Sequence, residues 1–267
     1  MTSATDVQRN LEVAEVLLAQ AASEGAALAV LPENFVIMGK HETDKFAVAE
    51  VFGSGLVQDF VSALSKKLKL WIVAGTMPIK VPGETRVAAA SLIFNAQGEC
   101  VARYDKIHLF DVEVSDAQGT YRESSSMVPG QRPVIIDTPV GKLGMAICYD
   151  MRFPELFRLL SARGAQLFAV PAAFTVPTGR AHWEVLLRAR AIENLGFVLA
   201  AAQTGVHENG RETWGHSMII DPWGEVLECR AAHPGVVTAE INLQHQADIR
   251  RRFPALTQRR LQIADDL

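Results

Sequence analysis

The residue in this chain best suited to nucleophilic chemistry is Cys148. It ends an apolar segment, KLGMAIC, and the Pro-Glu pair at 154–155 shortly after it is typical of the first turn of a helix. A cysteine between a strand end and a helix N-terminus is predicted to be exposed by the turn, and the helix dipole favours its thiolate. A single cysteine is nevertheless more often a buried core residue, so the neighbouring chemistry has to decide.

Three charged residues supply complementary groups for such a nucleophile. Glu33 follows an apolar run in LPENF, Lys106 lies in YDKIHLF, and Glu123 lies in the polar segment YRES. A carboxylate can accept the proton of a thiol, and a lysine can stabilise the oxyanion that forms when a carbonyl is attacked. Each of these residues alone is typical of a solvated surface position.

Helix-like and strand-like segments alternate along the chain and must position these residues. Helical periodicity predicts helices over 5–24, 56–68, 153–163, 181–195 and 242–252. Short apolar runs predict strands at 27–31, 70–75, 88–94, 100–104, 134–137, 141–148, 166–170, 197–202, 216–221, 225–229 and 236–241. The polar segment 111–132 is predicted to be a long irregular loop. The pattern favours an α/β protein whose sheets are covered by helices and are not purely parallel.

Composition excludes several classes of protein. The chain has 267 residues, 49% of them hydrophobic, and a formal net charge of −4, which suits one large core and offers no basic surface for nucleic acid. The odd count of three cysteines (Cys100, Cys148, Cys229) argues against a disulfide framework, and no Cys/His spacing fits a metal site. Without a signal-like or membrane-spanning apolar run, the sequence predicts a cytoplasmic protein.

Six sequence blocks, taken together, resemble the nitrilase superfamily of carbon–nitrogen hydrolases. They are LPENF (31–35), YDKIHLFD (104–111), RES (122–124), GKLGMAICYDMRFPEL (141–156), AHWEVLLRARAIEN (181–194) and GHSMIIDPWGEV (215–226). They cover nearly the whole chain in the family's order. The resemblance implies one domain over 1–267 with a four-layer αββα sandwich, assembly into homodimers or larger homo-oligomers, and neither a metal nor an organic cofactor.

The resemblance also implies roles for individual residues. Glu33, Lys106 and Cys148 occupy the positions of the family's catalytic triad, and Glu123 that of a second active-site glutamate. Such a triad cleaves an amide through a thioester on the cysteine, with the glutamate as general base. The backbone N–H of Tyr149 then joins Lys106 in stabilising the oxyanion.

Within the superfamily, the chain most resembles the deaminated glutathione amidases, through the blocks at 147–156, 181–193, 200–205 and 215–224. This implies hydrolysis of deaminated glutathione to 2-oxoglutarate and cysteinylglycine. The ω-amidases, which act on 2-oxoglutaramate and 2-oxosuccinamate, share much of the pattern and are the alternative. The acid end of either substrate needs a cation, and Arg180 is either that cation or a plain surface arginine. The polar segment 111–132 is predicted to form the wall on the leaving-group side.

Other interpretations use the same residues. His108, His182 and His216 invite a Cys–His hydrolase, but the resemblance gives none of them the general-base role, so they are predicted to be structural. A nitrile hydrolase would keep the same triad, whereas a non-catalytic relative is expected to have lost part of it, and no part is lost here. The chain departs from the superfamily at Met1, where the strand that normally precedes the first helix is expected to be missing from one sheet.

Overall fold

The computed structural model describes residues 1–116 and 118–261. Residue 117 and residues 262–267 of the predicted domain lie outside the described residues. Within the described part, no helix is both long and apolar enough to cross a membrane.

The described chain forms six α-helices and fifteen strands. The helices are α1 Val7–Ser23, α2 Asp44–Ala47, α3 Leu56–Leu68, α4 Pro154–Ala162, α5 Val176–Asn194 and α6 Leu243–Arg252. The strands are β1 Leu28–Val30, β2 Trp71–Val73, β3 Met77–Lys80, β4 Val87–Phe94, β5 Cys100–Asp105, β6 Asp111–Glu113, β7 Thr120–Arg122, β8 Ile135–Thr138, β9 Gly141–Met145, β10 Leu167–Ala169, β11 Phe197–Ala200, β12 Thr204–Val206, β13 Glu212–Trp214, β14 Ser217–Ile220 and β15 Val226–Arg230. Two 3₁₀ turns cover Glu123–Ser125 and Cys148–Arg152.

Most strands belong to two mixed sheets. The first has five strands, in the order β1-β2-β4-β3 with β5 also paired to β4, and the second has six, in the order β15-β14-β11-β10-β9-β8. Parallel pairs (β1 with β2, and β10 with both β9 and β11) coexist with antiparallel hairpins in each sheet. Two separate hairpins, β6-β7 and β12-β13, lie outside these sheets.

The two sheets pack face to face with helices outside them. Apolar residues of α1 and α3, such as Leu11 and Val61, are buried against Ile72 and Leu92 of the first sheet. A second core joins α4 and α5 to the six-stranded sheet and also takes in Val73, Ile93 and Tyr104 from the first sheet. Because these side chains connect the sheets, the layers run helix, sheet, sheet, helix. The predicted four-layer αββα sandwich is confirmed.

The structure contains four elements that the sequence analysis did not predict, α2, β3, β12 and β13, and it differs from the prediction in three further segments. The stretch 111–132 is not wholly irregular, since it contains the hairpin β6-β7, whose strands are three residues long and hold one apolar or aromatic residue each, too few to display a period. Helix α5 begins at Val176 rather than 181, because Pro177 fits a first helical turn. The predicted strand 236–241 belongs to neither described sheet; it lines a cavity of about 700 Å³ beside β1, the edge strand of the five-stranded sheet.

Candidate active site

The predicted catalytic residues stand just beyond the ends of strands from both sheets. Glu33 follows β1, Lys106 follows β5 directly, and Cys148 follows β9, so both inner sheets deliver a residue to the same end of the sandwich. Glu123 opens the 3₁₀ turn after β7. The structure brings all four residues together in one cleft, together with Tyr149.

Lys106 lies between two carboxylates. Its Nζ is 2.8 Å from Glu33 Oε1 and 2.9 Å from Glu123 Oε2, while its side chain is only 2% exposed. Burial alone would lower the pKa of Lys106, but the two negative charges raise it well above its ordinary value. Lys106 is therefore a permanent cation whose ammonium group has fixed partners.

Glu33 is held as a carboxylate in spite of its burial. The backbone N–H of Ala173 donates to its Oε2 at 2.8 Å, and Cys148 lines the same cleft. Burial raises the pKa of Glu33, but the charge and hydrogen bond of Lys106 outweigh that effect, so the net pKa lies below its ordinary value. An ionised carboxylate beside a thiol is the arrangement that a general base requires.

Cys148 is held in a strained turn and is not exposed. Its φ of 47° lies in the left-handed region, which a residue with a side chain rarely adopts without support from its surroundings. Only 7% of the residue is exposed, and burial together with the Glu33 charge raises the pKa of the thiol well above its ordinary value. The expectation of an exposed sulfur with a favoured thiolate is wrong, because burial and the neighbouring carboxylate outweigh a short 3₁₀ turn. The raised pKa favours the thiol over the thiolate, so nucleophilic attack by Cys148 would need a base to take its proton.

The turn that carries Cys148 is tied to the segment that carries Lys106 through one buried aspartate. Asp150 is fully buried and accepts from Tyr104 Oη (2.7 Å), from the backbone and ring of His108 (3.0 and 2.7 Å), and from the backbone of Ile147 (2.9 Å). Tyr104 and His108 flank Lys106 in sequence, so the aspartate fixes the spacing between the lysine and the nucleophile. Sequence reasoning missed this role, although the residue lies inside the block that carries Cys148.

The three histidines of the matching blocks bond to or stack on residues other than Cys148. The ring of His108 bonds Asp150 and stacks on Phe153 with ring centroids 3.7 Å apart. His182 is exposed and faces the Arg152 guanidinium, and His216 stacks on Trp214 at 4.2 Å. These contacts agree with the predicted structural roles.

Comparison with known proteins decides the family. The family model for carbon–nitrogen hydrolase matches residues 1–251. This chain belongs to the carbon–nitrogen hydrolase family. The prediction of an enzyme that cleaves carbon–nitrogen bonds is thereby confirmed.

Curated relatives of this hydrolase share its whole length. The deaminated glutathione amidase of Synechocystis is 45% identical over 263 residues, covering 97% of this chain and 95% of the relative. The deaminated glutathione amidase of Homo sapiens is 40% identical, and the alignment covers 97% of this chain and 80% of the relative. Among solved structures, the NitFhit protein of C. elegans aligns with a TM-score of 0.90 at 37% identity, covering 97% of this chain and 63% of that chain. Saccharomyces cerevisiae Nit3, a member of branch 10 of the nitrilase superfamily, aligns with a TM-score of 0.87 at 30% identity. The alignment covers 97% of this chain and 93% of that chain.

The catalytic cleft of the hydrolase opens into a larger cavity of about 750 Å³. Six residues line both spaces: Asn34, Glu42, Lys45, Tyr121, Met127 and Arg211. The segment from β6 to β7 contributes Ser115, Asp116 and Gln118 to the cavity, and the Tyr121 hydroxyl donates to Asp116 at 2.7 Å. The polar segment 111–132 therefore lines this cavity, and its assignment to the leaving-group side stays a prediction.

Of the two residues predicted to bind substrate, one lines the cleft and the other does not. Tyr149 lines it, and its backbone N–H lies in the first turn of the 3₁₀ segment, where helical geometry supplies no acceptor. Arg180 is exposed on α5 and lies over the ring of Trp214 at 5.9 Å, outside the residues that line either space. Thr178 lines the cleft, and a residue two positions later on a helix points about 200° away. The prediction for Arg180 is therefore not supported by its position.

Sequence reasoning overlooked another arginine that does line the cleft. Arg211 stands between β12 and β13, four residues before the matching block that begins at Gly215. Its position after an Asn-Gly turn predicts a hairpin, and nothing in the local pattern indicates that its side chain reaches the nucleophile.

Proposed function

We propose that this enzyme hydrolyses deaminated glutathione to 2-oxoglutarate and cysteinylglycine through a thioester on Cys148. The observation that carries the proposal is the placement of Cys148, Glu33 and Lys106 in one cleft, with Lys106 Nζ 2.8 Å from Glu33 Oε1. A protonated thiol, a base and a fixed cation are together what cysteine-based amide hydrolysis needs.

The first half of the reaction forms the thioester. The Cys148 sulfur attacks the amide carbon while its proton passes to Glu33. The carbonyl oxygen becomes an oxyanion that Lys106 and the Tyr149 backbone N–H stabilise. Glu33 then gives its proton to the amide nitrogen, the carbon–nitrogen bond breaks, and the amine leaves.

The second half uses water. Glu33, again a carboxylate, takes a proton from water as its oxygen attacks the thioester carbon. The same oxyanion donors act a second time, the carbon–sulfur bond breaks, and the Cys148 thiol is restored by the proton held on Glu33. One amide and one water thus give one acid and one amine. Glu123 orients Lys106 through its ion pair.

Two observations support the substrate. The relatives that are 40–45% identical over almost the whole chain are named deaminated glutathione amidases. In addition, the cavity of about 750 Å³ beyond the cleft offers room for a dipeptide leaving group, which an enzyme that releases only ammonia does not need.

Side-by-side kinetics test the substrate. We expect kcat/KM for deaminated glutathione to exceed that for 2-oxoglutaramate by about tenfold or more, a difference of about 1.4 kcal/mol in transition-state binding. Both reactions are followed by release of 2-oxoglutarate at one pH. Equal or reversed values would assign the enzyme to the ω-amidases, and activity on nitriles alone would assign it to the nitrile hydrolases.

We also propose a homodimer or higher homo-oligomer, and a cytoplasmic location. Val185 and Ile192 stand seven residues apart on one face of α5 and are 69% and 47% exposed, and the exposed Trp223 precedes Gly224, whose carbonyl accepts a hydrogen bond from Arg188 of the same helix. The three cysteines are free thiols, as expected in a reducing compartment. Light scattering of the wild type and of Val185→Asp tests assembly, with Val16→Asp on α1 as the matched exposed control. Cell fractionation tests the location.

A further inference from the structure

Arg211 has an unusual position for a cation beside a catalytic centre. Its Nη2 donates to the backbone oxygen of Ala173 at 2.6 Å, and its Cζ lies 5.4 Å from the centre of the Tyr121 ring. The N–H of that same Ala173 holds Glu33. Arg211 and Glu33 thus both form hydrogen bonds with the backbone of Ala173. Arg211 also lines both the cleft and the adjoining cavity.

The guanidinium of Arg211 has unused hydrogen-bonding capacity. Its Nε is buried and, among the described residues, has no acceptor within hydrogen-bonding distance. A buried N–H without an acceptor costs about 1–3 kcal/mol, so it is usually matched by a ligand or another partner.

The other cations of the cleft have carboxylate partners. Lys106 pairs with Glu33 and Glu123, Lys45 lies 2.6 Å from Glu42, and Arg122 lies 3.9 Å from Glu113. No carboxylate of the described chain comes within 4.0 Å of the Arg211 guanidinium in an ion pair. The lining as a whole contains four cations and three carboxylates, although the chain is acidic overall. The cleft therefore suits a ligand that brings one negative charge.

We propose that Arg211 is a specificity-determining residue that binds the carboxylate at the acid end of the acyl group. Its planar guanidinium can donate to both oxygens of a carboxylate, and the Tyr121 ring supports its face. This inference rests on the proposed function, because it takes a 2-oxo acid as the acyl group.

The acyl end is favoured over the leaving-group end by the position of Ala173. The residue that anchors Arg211 also contacts the catalytic base, so the guanidinium is placed for a carboxylate only a short chain away from the attacked carbon. The leaving peptide extends into the larger cavity, where Lys40 and the hairpin residues form the wall.

The test compares Arg211→Met with Arg180→Met on matched amides. The substrates are 2-oxoglutaramate and 4-oxopentanamide, which has a methyl group in place of the carboxylate. We expect Arg211→Met to lose about 10- to 100-fold in kcat/KM on 2-oxoglutaramate, the effect of one charge-assisted hydrogen-bonding group, and less than about threefold on 4-oxopentanamide. Arg211→Lys should recover part of the loss, and Arg180→Met should show none.

Deaminated glutathione and its C-terminal carboxamide separate the two ends of the substrate. Arg211→Met should lose equally on both, since both keep the acyl carboxylate. A loss confined to the free C-terminal carboxylate would overturn the proposal, and so would an equal loss on 4-oxopentanamide, which would indicate a structural role through Ala173. If the wild type hydrolyses 2-oxoglutaramate but not deaminated glutathione, the proposed function fails. The comparison of Arg211→Met on 2-oxoglutaramate and 4-oxopentanamide then still tests the role of Arg211.

Discussion

Two groups of charged side chains face the catalytic cleft, and they differ in how their charges are balanced. In the inner group, Lys106 is 2% exposed and lies between Glu33 and Glu123, with both ion pairs shorter than 3 Å. In the outer group, on the wall of the cleft, Arg122 is half exposed with a distant partner, and Arg211 has no carboxylate partner among the described residues.

We interpret the paired inner group as the one that carries out the chemistry and the unpaired Arg211 as the group that recognises the substrate. Buried charges are tolerated when each is paired, and the pairing fixes their protonation states before the substrate arrives. A cation without a protein carboxylate, such as Arg211, is available to pair with a carboxylate of the substrate. The following predictions test this contrast, from the largest expected effect to the smallest.

Removing the nucleophile should have the largest effect. Cys148→Ala is expected to lower kcat/KM for amide hydrolysis by at least about 10⁴-fold, as for other residues that act as one catalytic unit. Cys100→Ala, at an exposed thiol, is the matched control and should keep its activity. Residual activity of Cys148→Ala within about tenfold of the wild type would exclude covalent catalysis at this residue.

Removing the inner cation should damage both activity and stability. Lys106→Met is expected to lower kcat by about 10³-fold, through loss of an oxyanion donor, and the free energy of unfolding by about 3–5 kcal/mol, because two buried carboxylates lose their partner. Denaturant unfolding measures the second effect. The double variant Lys106→Met/Glu123→Gln should recover stability without recovering activity. Equal losses in the free energy of unfolding for Lys106→Met and Arg211→Met would contradict the distinction between the paired inner group and the outer group.

Asp150→Asn should reduce activity without removing any reacting group. The amide can replace only one of the two carboxylate oxygens as an acceptor, so either the His108 or the Tyr104 contact is lost. We expect kcat to fall about 10- to 100-fold with little change in KM, the loss expected when catalytic groups are misplaced. The pH dependence of Cys148 alkylation should shift as well. A variant that is only less stable, with normal kcat at low temperature, would contradict the positioning role.

The pH profile should report the carboxylate of Glu33 rather than a thiolate. Because the pKa of Glu33 is lowered and that of Cys148 is raised, kcat/KM should be level across neutral pH and fall about tenfold per unit only below about pH 4.3, the ordinary glutamate value. The same lowered pKa stabilises the fold above that value, and this contribution is lost as pH falls through the folded-state pKa. A rate that rises through pH 8–9 would instead indicate a pre-formed thiolate.

The smallest effect is expected at the exposed cation of the cleft wall. Arg122→Gln should change kcat/KM for deaminated glutathione by no more than about threefold, because its charge is screened by water. A loss as large as that of Arg211→Met would mean that the wall binds the substrate through its general positive charge rather than through one placed guanidinium.

Much of the fold follows from local patterns that the sequence displays. Helix α3 occupies the predicted residues 56–68, and most predicted strands are found within two residues of their expected ends, because buried segments show their apolar periodicity directly. The hairpin β6-β7 could not be predicted in this way, since each of its strands is only three residues long and holds a single apolar or aromatic residue. The segment 236–241 has the composition of a strand, but strand formation needs a partner that composition does not supply.

The sequence by itself predicted which residues form the candidate triad and in what order, because the blocks around Glu33, Lys106 and Cys148 are local and specific. It also indicated that an arginine should meet a substrate carboxylate. Only the tertiary structure placed Arg211, and not Arg180, in the lining of the cleft, buried the Cys148 side chain, and joined the segments of Lys106 and Cys148 through Asp150. Each of these facts depends on contacts between residues far apart in the chain, such as Ala173 with Glu33, and burial and electrostatic effects on pKa arise only when such distant groups are brought together.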